Sequence, residues 1–177
     1  MIVRKGDLKD LNTCVLIDGS YVTDYVWQVQ AEERPYEEMV ITFRTVRLPR
    51  SMRVSSPRDA EYLVQDWQRD ECFLVAEEGG EIRGYLDMTV QAWNRTGWIN
   101  DMAVLKRYRR QGIGTALLRA ALRWAREHQL RVIILETQTK NYPAICFYRK
   151  HGFSFCGFND HYYANQDIAL FFVHSLY

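Results

Sequence analysis

Arg109-Arg110-Gln111-Gly112-Ile113-Gly114-Thr115 stands between an apolar run ending at Leu105 and a segment with helical period. Residues 112–128 carry Ile113, Leu117, Ala120, Ala121, Trp124 and Ala125 on one helical face, with Arg119, Arg123 and Arg126 on the other. A strand, a glycine turn and a helix in that order make an anion site. Glycine lets the backbone pass close to a ligand and adopt positive φ. The amides of the first helical turn point at that ligand, and the helix dipole favours negative charge there. Arg109 and Arg110 would add charge-assisted hydrogen bonds, and a diphosphate suits such a cradle. The same residues could do no more than open a helix after a charged turn, and spacing alone leaves both readings open. Two nucleotide classes are disfavoured. No lysine follows Gly114 as a P-loop requires, and Leu117 stands where a dinucleotide fingerprint has its third glycine.

Upstream of the loop, residues 97–105 and 82–93 read as partner strands, preceded by a tight turn at 78–81 and a buried strand at 72–76. Residues 58–69 read as a helix with Leu63, Val64 and Trp67 on one face. An Arg-, Ser- and Pro-rich connector spans 49–57, and residues 21–30 and 40–48 are strand-like. The polar stretch 31–37, with Pro35, joins those two as a hairpin. The N-terminus offers a short strand at 2–4 and a helix at 9–17 with Asp7 as N-cap. Downstream, Val132-Ile133-Ile134-Leu135 is a continuous apolar run, as in a strand covered on both faces. Residues 142–150 form a helix with Pro143 in its first turn, stopped by Gly152, and 153–158 and 168–173 are closing strands. This alternation predicts an α/β or α+β fold with a mixed sheet. With no internal repeat and no linker, residues 1–177 read as a single domain.

The chain has 177 residues, 47% of them hydrophobic, which is enough to build a core and argues against disorder. Its formal charge of +1 gives no overall pull toward nucleic acid or a membrane, so neither is expected as a partner. Positive charge is instead local, in Lys106-Arg107-Tyr108-Arg109-Arg110. No apolar run reaches the roughly 18 residues a membrane span needs. Cys14, Cys72, Cys146 and Cys156 lack metal-ligand spacing, as do His128, His151, His161 and His174, so no metal site is expected. The N-terminus has no apolar signal core, which predicts a cytoplasmic protein with buried, reduced thiols. Asn94-Arg95-Thr96 matches a glycosylation acceptor, which has no meaning without secretion.

Arg109-Arg110-Gln111-Gly112-Ile113-Gly114 also matches the [QR]-x-x-G-x-[GA] loop of the GNAT superfamily of N-acetyltransferases, placed after the strand-like Ile99-Asn100-Asp101-Met102-Ala103-Val104. About 30 residues on, Asn141, Ala144, Tyr148 and Gly152-Phe153 resemble that superfamily's N-x-x-A-x-x-x-Y-x-x-x-G-F. Two motifs in the right order are far more specific than either alone. The resemblance covers residue 72 to the C-terminus. A looser likeness to the streptothricin acetyltransferases rests on Leu135-Glu136-Thr137-Gln138, Phe147-Tyr148, Gly152-Phe153, Gly157-Phe158 and Asp167-Ile168-Ala169-Leu170-Phe171-Phe172.

The resemblance implies a mixed, largely antiparallel central sheet flanked by helices, with splayed central strands. It implies acetyl-CoA as co-substrate, no metal, and direct attack by a primary amine of a small molecule in a ternary complex. A protein N-terminal or lysine acetyltransferase, or a coenzyme-A-binding module without turnover, are the alternatives. Backbone groups of Met102, Ala103 and Val104 would pair with the pantetheine arm, and one amide there, Val104 being singled out, would polarise the thioester oxygen. The loop Arg109, Arg110, Gln111, Gly112, Ile113, Gly114 and Thr115 would hold the pyrophosphate. Asn141 would contact the coenzyme, cap the next helix, or both. Tyr148 would protonate the departing thiolate, the other reading being a core aromatic. Asp101 and Glu136 could each receive the amine proton through water or attract a cationic acceptor, and Asp87 ranks third. No G-x-S-x-G elbow suggests a serine nucleophile, and Cys146 reads as a buried structural thiol. The hairpin region 20–57 could act as a lid near the acceptor site, and the aromatic tail could line that site or a homodimer contact.

Overall fold

The computed structural model describes residues 1–57, 60–69 and 71–177. Along the chain come β1 (Ile2–Lys5), α1 (Leu8–Cys14), β2 (Tyr21–Arg34), β3 (Glu38–Val54), α2 (Ala60–Trp67), β4 (Cys72–Glu78), β5 (Glu81–Gln91) and β6 (Thr96–Val104). They are followed by α3 (Ile113–Glu127), β7 (Val132–Gln138), α4 (Tyr142–Lys150), β8 (Ser154–Asn159) and β9 (Ala169–Ser175). Seven strands form one sheet in the order β1-β4-β5-β6-β7-β9-β8, while β2 and β3 pair separately. Within the large sheet only β6 and β7 run parallel, so it is mixed and largely antiparallel.

The periodicity of the glycine-loop helix explains how one face of the sheet is covered. Leu117, Leu118, Ala121 and Ala125 of α3 are fully buried, in a cluster with Leu86, Met88, Ile99, Ile133 and Leu135 of the sheet. Each of the two leucines contributes about 1.5–3 kcal/mol by leaving water. On the other face, Leu11 and Cys14 of α1 and Leu63 of α2 pack against Phe73, Val75, Tyr85 and Ala103. The expected start of the second helix, at Arg58 and Asp59, lies outside the described residues. Among the described residues no helix is long and apolar enough to cross a membrane.

Several boundaries differ from the sequence expectation. Asp7 caps α1 with a reciprocal capping box, but the helix ends at Cys14. Residues beyond it close tighter turns, with the Leu16 and Ile17 amides bonding to the carbonyls of Thr13 and Cys14. The connector expected at 49–57 is largely strand, because β3 continues to Val54. Pro49 is tolerated there since Leu48 to Ser51 fall where the β2–β3 register shifts, in a two-stranded ribbon that needs no amide from it. The polar stretch 31–37 is mostly strand too, leaving the turn to residues 35–37, with Tyr36 at φ +63°. Cys14 and Cys72 are buried, but Cys146 and Cys156 are exposed, which corrects the expectation of four buried thiols. A helical period read without its partner does not say which face meets solvent.

Candidate active site

β6 and β7 pair from Thr96 opposite Val132 to Ile99 opposite Leu135, and there the ladder stops. On the other side of β6, Asp87 faces Asp101 while the neighbouring Met88 faces Ile99, so Asn100 is an extra, bulged residue. A bulge bends its strand and sharpens its twist. Beyond it β6 stays on β5, whereas Glu136, Thr137 and Gln138 of β7 stay on β9. The sheet therefore opens into a wedge. A cleft of about 210 Å³ lies there, reached by Asn100, Asp101 and Met102 from one strand and Glu136, Thr137 and Gln138 from the other.

The Leu105 amide bonds to the Arg83 carbonyl at 2.9 Å. That phase turns the amide and carbonyl of Ala103 toward β5, and those of Met102 and Val104 toward the opening. The Val104 carbonyl accepts from Arg109 Nε at 2.9 Å. An extended chain entering the wedge meets a strand edge with the Met102 groups and the Val104 amide presented to it.

The register also sorts the ionisable groups. Trp98 pairs with Thr89 and Asp101 with Asp87, which puts both on the sheet face opposite α3. Glu136 shares that face, two residues beyond the Trp98–Ile134 pair. Each carboxylate is held by an aromatic donor: Tyr85 Oη gives to Asp101 Oδ2 at 2.5 Å, and Trp98 Nε1 to Glu136 Oε2 at 2.7 Å. Asp87 is buried on β5, accepts from Asn100 Nδ2 at 2.9 Å, and does not line the cleft. Tyr148 approaches from α4, within the cluster on the α3 side, and lines the same cleft. Burial pushes its phenol above the usual tyrosine value, and the negative charges of Asp101 and Glu136 push it further the same way. A buried phenol thus stands on one side of the wedge and two carboxylates on the other.

In the glycine loop Arg110 has φ +64° and Gly112 φ +86°. Open space surrounds a Cβ placed on Gly112, so glycine is required by conformation, not by crowding. Gly112 caps α3 without a side-chain bond, and the helix begins with the Ala116 amide bonded to its carbonyl. The amides of Ile113, Gly114 and Thr115 therefore fall in the turn that has no intrahelical acceptor. The loop is a backbone cradle more than a charged one. Lys106 pairs with Asp18 at 2.6 Å, Arg107 with Glu81, and Gln111 Nε2 donates to the Arg107 carbonyl at 3.1 Å. Arg109, expected to meet an anion, donates to three backbone carbonyls, those of Val104, Ser20 and Asp18. Its guanidinium instead ties the entry of β2 to the end of β6. Arg110 is exposed and has no ion pair among the described residues. Thr115 Oγ1 lies 3.1 Å from His151 Nε2, and Ile113 is core.

Asn141 caps α4, its Oδ1 accepting from the Ala144 amide at 3.2 Å, and also lines the cleft. The two ends of the hairpin segment, Gly19 with Tyr21 and Ser56 with Pro57, complete the wall, together with Tyr163 from the aromatic tail. Tyr21 Oη donates to Gln138 Oε1 at 2.8 Å, and Gln138 Nε2 to Asp167 Oδ2 at 2.6 Å, fixing the end of β7. Tyr85, Trp98 and Tyr21 carry no local signal in the sequence, since their partners lie on other strands. Among the described residues no cluster of His, Cys, Asp or Glu could hold a metal ion.

Residues 34–153 match the model of the acetyltransferase (GNAT) family. The chain belongs to the GNAT acetyltransferase family. It is 30% identical to streptothricin acetyltransferase of Streptomyces lavendulae, over 98% of this chain and 89% of that protein. Streptothricin acetyltransferase A of Bacillus subtilis (strain 168) is 41% identical over 87 residues, 47% of this chain and only half of that protein. A Bacillus anthracis str. Ames protein crystallised with acetyl coenzyme A superposes with a TM-score of 0.77 at 25% identity, over 98% of both chains. The fold is the mixed α/β architecture of these acetyltransferases, and the protein is an N-acetyltransferase of this family.

Proposed function

We propose that the chain works as one domain that moves an acetyl group from acetyl-CoA to a primary amine of a small, cationic molecule of the streptothricin type. The observation that carries this is the wedge between β6 and β7, with Tyr148 on one side and Asp101 and Glu136 on the other. The presented edge at Met102 and Val104 suits the amide-rich pantetheine arm, and the amides of residues 113–115 suit the pyrophosphate. Arg110 adds charge at the loop, while Arg109 holds the loop's base. Asn141 contributes from the α4 cap.

The reaction joins the amine nitrogen to the acetyl carbonyl carbon as the carbon–sulfur bond breaks. The Val104 amide stabilises charge growing on the carbonyl oxygen. The amine proton passes to Glu136 or Asp101 through water, and Tyr148 donates its proton to the departing thiolate. Tyr148 suits that role because its raised pKa keeps it protonated at any physiological pH. The carboxylates also attract a cationic acceptor, and the hairpin ends Tyr21 and Ser56 form part of the cleft wall. Similarity to the streptothricin acetyltransferases supports the acceptor class. Action in the cytoplasm goes with this reading.

Thiol release from acetyl-CoA across a panel of amines tests it. Release is expected with streptothricin and weak with peptides bearing free N-termini. Preference for the peptides would reassign the acceptor, and binding of coenzyme A without release for any amine would overturn the enzyme reading.

A further inference from the structure

The β2–β3 ribbon runs well beyond the body it grows from. Its stem is anchored: Trp27 and Phe43 lie 5.9 Å apart between ring centres, Phe43 is 4.8 Å from Phe155, and the Trp27 amide bonds to the Thr139 carbonyl at 3.0 Å. Past Val29 this anchoring ends, and residues 30–40 are all exposed, Met39 by 60% and Val40 by 46%. Gln30 to Arg34 pair only with Thr42 to Glu38, so both edges of the ribbon lack a strand partner. An isolated two-stranded ribbon is marginal in water, and open edges invite another chain.

Charge along the ribbon is divided. The outer end holds Glu32, Glu33, Glu37 and Glu38 against Arg34, which pairs with Glu38 at 2.8 Å. The β3 stem holds Arg44, Arg47, Arg50 and Arg53, all exposed, and among the described residues only Arg53 has an ion pair, 3.5 Å from Asp18. An acidic end and a basic stem on one ribbon are self-complementary when two copies run antiparallel, the arrangement a two-fold axis produces.

We infer that the outer half of the β2–β3 ribbon is a dimerisation arm, in which β3 of one copy pairs antiparallel with β3 of a second copy. A two-fold axis at Thr42 sets Ile41 of one copy opposite Phe43 of the other, and brings Glu37, in the turn just before β3, to the level of Arg47. Glu38 then lies diagonal to Arg44, on the other face of the ribbon. Residues facing each other must share a face in such a pairing, and Ile41 and Phe43, two apart on β3, do. Pro49, without an amide hydrogen, marks where the new ladder ends. The ribbon becomes the half of a four-stranded sheet.

Sedimentation velocity with charge-swapped variants tests the arm without reference to acetyl transfer. The wild-type chain is expected to sediment as a dimer at micromolar concentration. Glu37→Arg with Glu38→Arg should give a monomer, and so should Arg44→Glu with Arg47→Glu. An equimolar mixture of the two variants should recover the dimer, because each basic arm then faces an acidic one. Circular dichroism matching the wild type keeps loss of fold from mimicking loss of contact. A monomeric wild type, or swapped variants that remain dimers alone, would overturn the arm.

Discussion

The two ends of β6 do opposite work. From Thr96 to Ile99 the strand is bonded on both sides, and Ile99 sits with Met88, Ile133 and Leu135 in the core under α3. From Asn100 onward it has β5 alone, and its other side opens on a cleft with two carboxylates and a tyrosine. One bulged residue separates them. A ladder that closes on both sides satisfies its backbone and leaves nothing to bind, whereas a strand that loses one neighbour offers amides and carbonyls to a ligand. Changes at the closed end should therefore cost stability, and changes at the open end should cost chemistry.

Activity should fall most on change at the open end. Tyr148→Phe is expected to lower kcat by about 10²–10⁴-fold, the range for a general acid, with little change in acetyl-CoA affinity or melting temperature. Steady-state kinetics with calorimetric binding checks this, and unchanged turnover would remove Tyr148 from the chemistry. At the closed end, Met88→Ala is expected to cost about 2–5 kcal/mol in denaturant titrations, with kcat per folded molecule nearly unchanged. A fall in kcat with stability intact would show that the two ends are not separable.

A smaller effect is expected at the loop. Gly112→Ala forces a side chain into φ +86°, at a cost of about 1–2 kcal/mol. If the loop amides hold the pyrophosphate, the strain appears as a roughly tenfold rise in KM for acetyl-CoA, with the KM for the amine unaffected. An equal rise for both substrates would place the damage in the fold instead. The mildest test is pH. Burial and the two carboxylates raise the Tyr148 pKa, so the acid stays protonated past the pH of about 10 at which an ordinary tyrosine ionises. Wild-type kcat should then show no Tyr148-dependent fall below that pH, and a fall absent from Tyr148→Phe with a midpoint near 9 would contradict the assignment.

The loop around Gly112 and the α4 cap at Asn141 were legible because both are written in consecutive residues. Positive φ wants glycine, and an N-cap wants a short side-chain acceptor just before its helix. The roles of Arg109 and Cys146 were not legible. A guanidinium beside an anion loop reads as an anion ligand until the carbonyls of Asp18 and Ser20, about 90 residues earlier, are seen to take it. Cys146 lies in a helix whose solvent face depends on what packs against it, and it is exposed. The length of the ribbon is hidden from the sequence for a similar reason. Its polar outer half has weak strand character by itself, yet pairs as far as Arg34 with Glu38 once the stem is anchored.

Neighbours along the chain are enough to set the order of elements, the helix caps, the glycine turn, and the spacing from Arg109 to Tyr148 that marks the family. The bulge at Asn100, the parting of β6 from β7, and the partners of the two carboxylates arise only when distant strands come together. Tyr85 meets Asp101 across 16 residues, and Trp98 meets Glu136 across 38. Strand register sets such meetings, and a shift of one residue would turn every one of these side chains to the opposite face. Nothing within a single strand records the register of its partner, so the chemistry of the wedge becomes readable only when the strands are laid side by side.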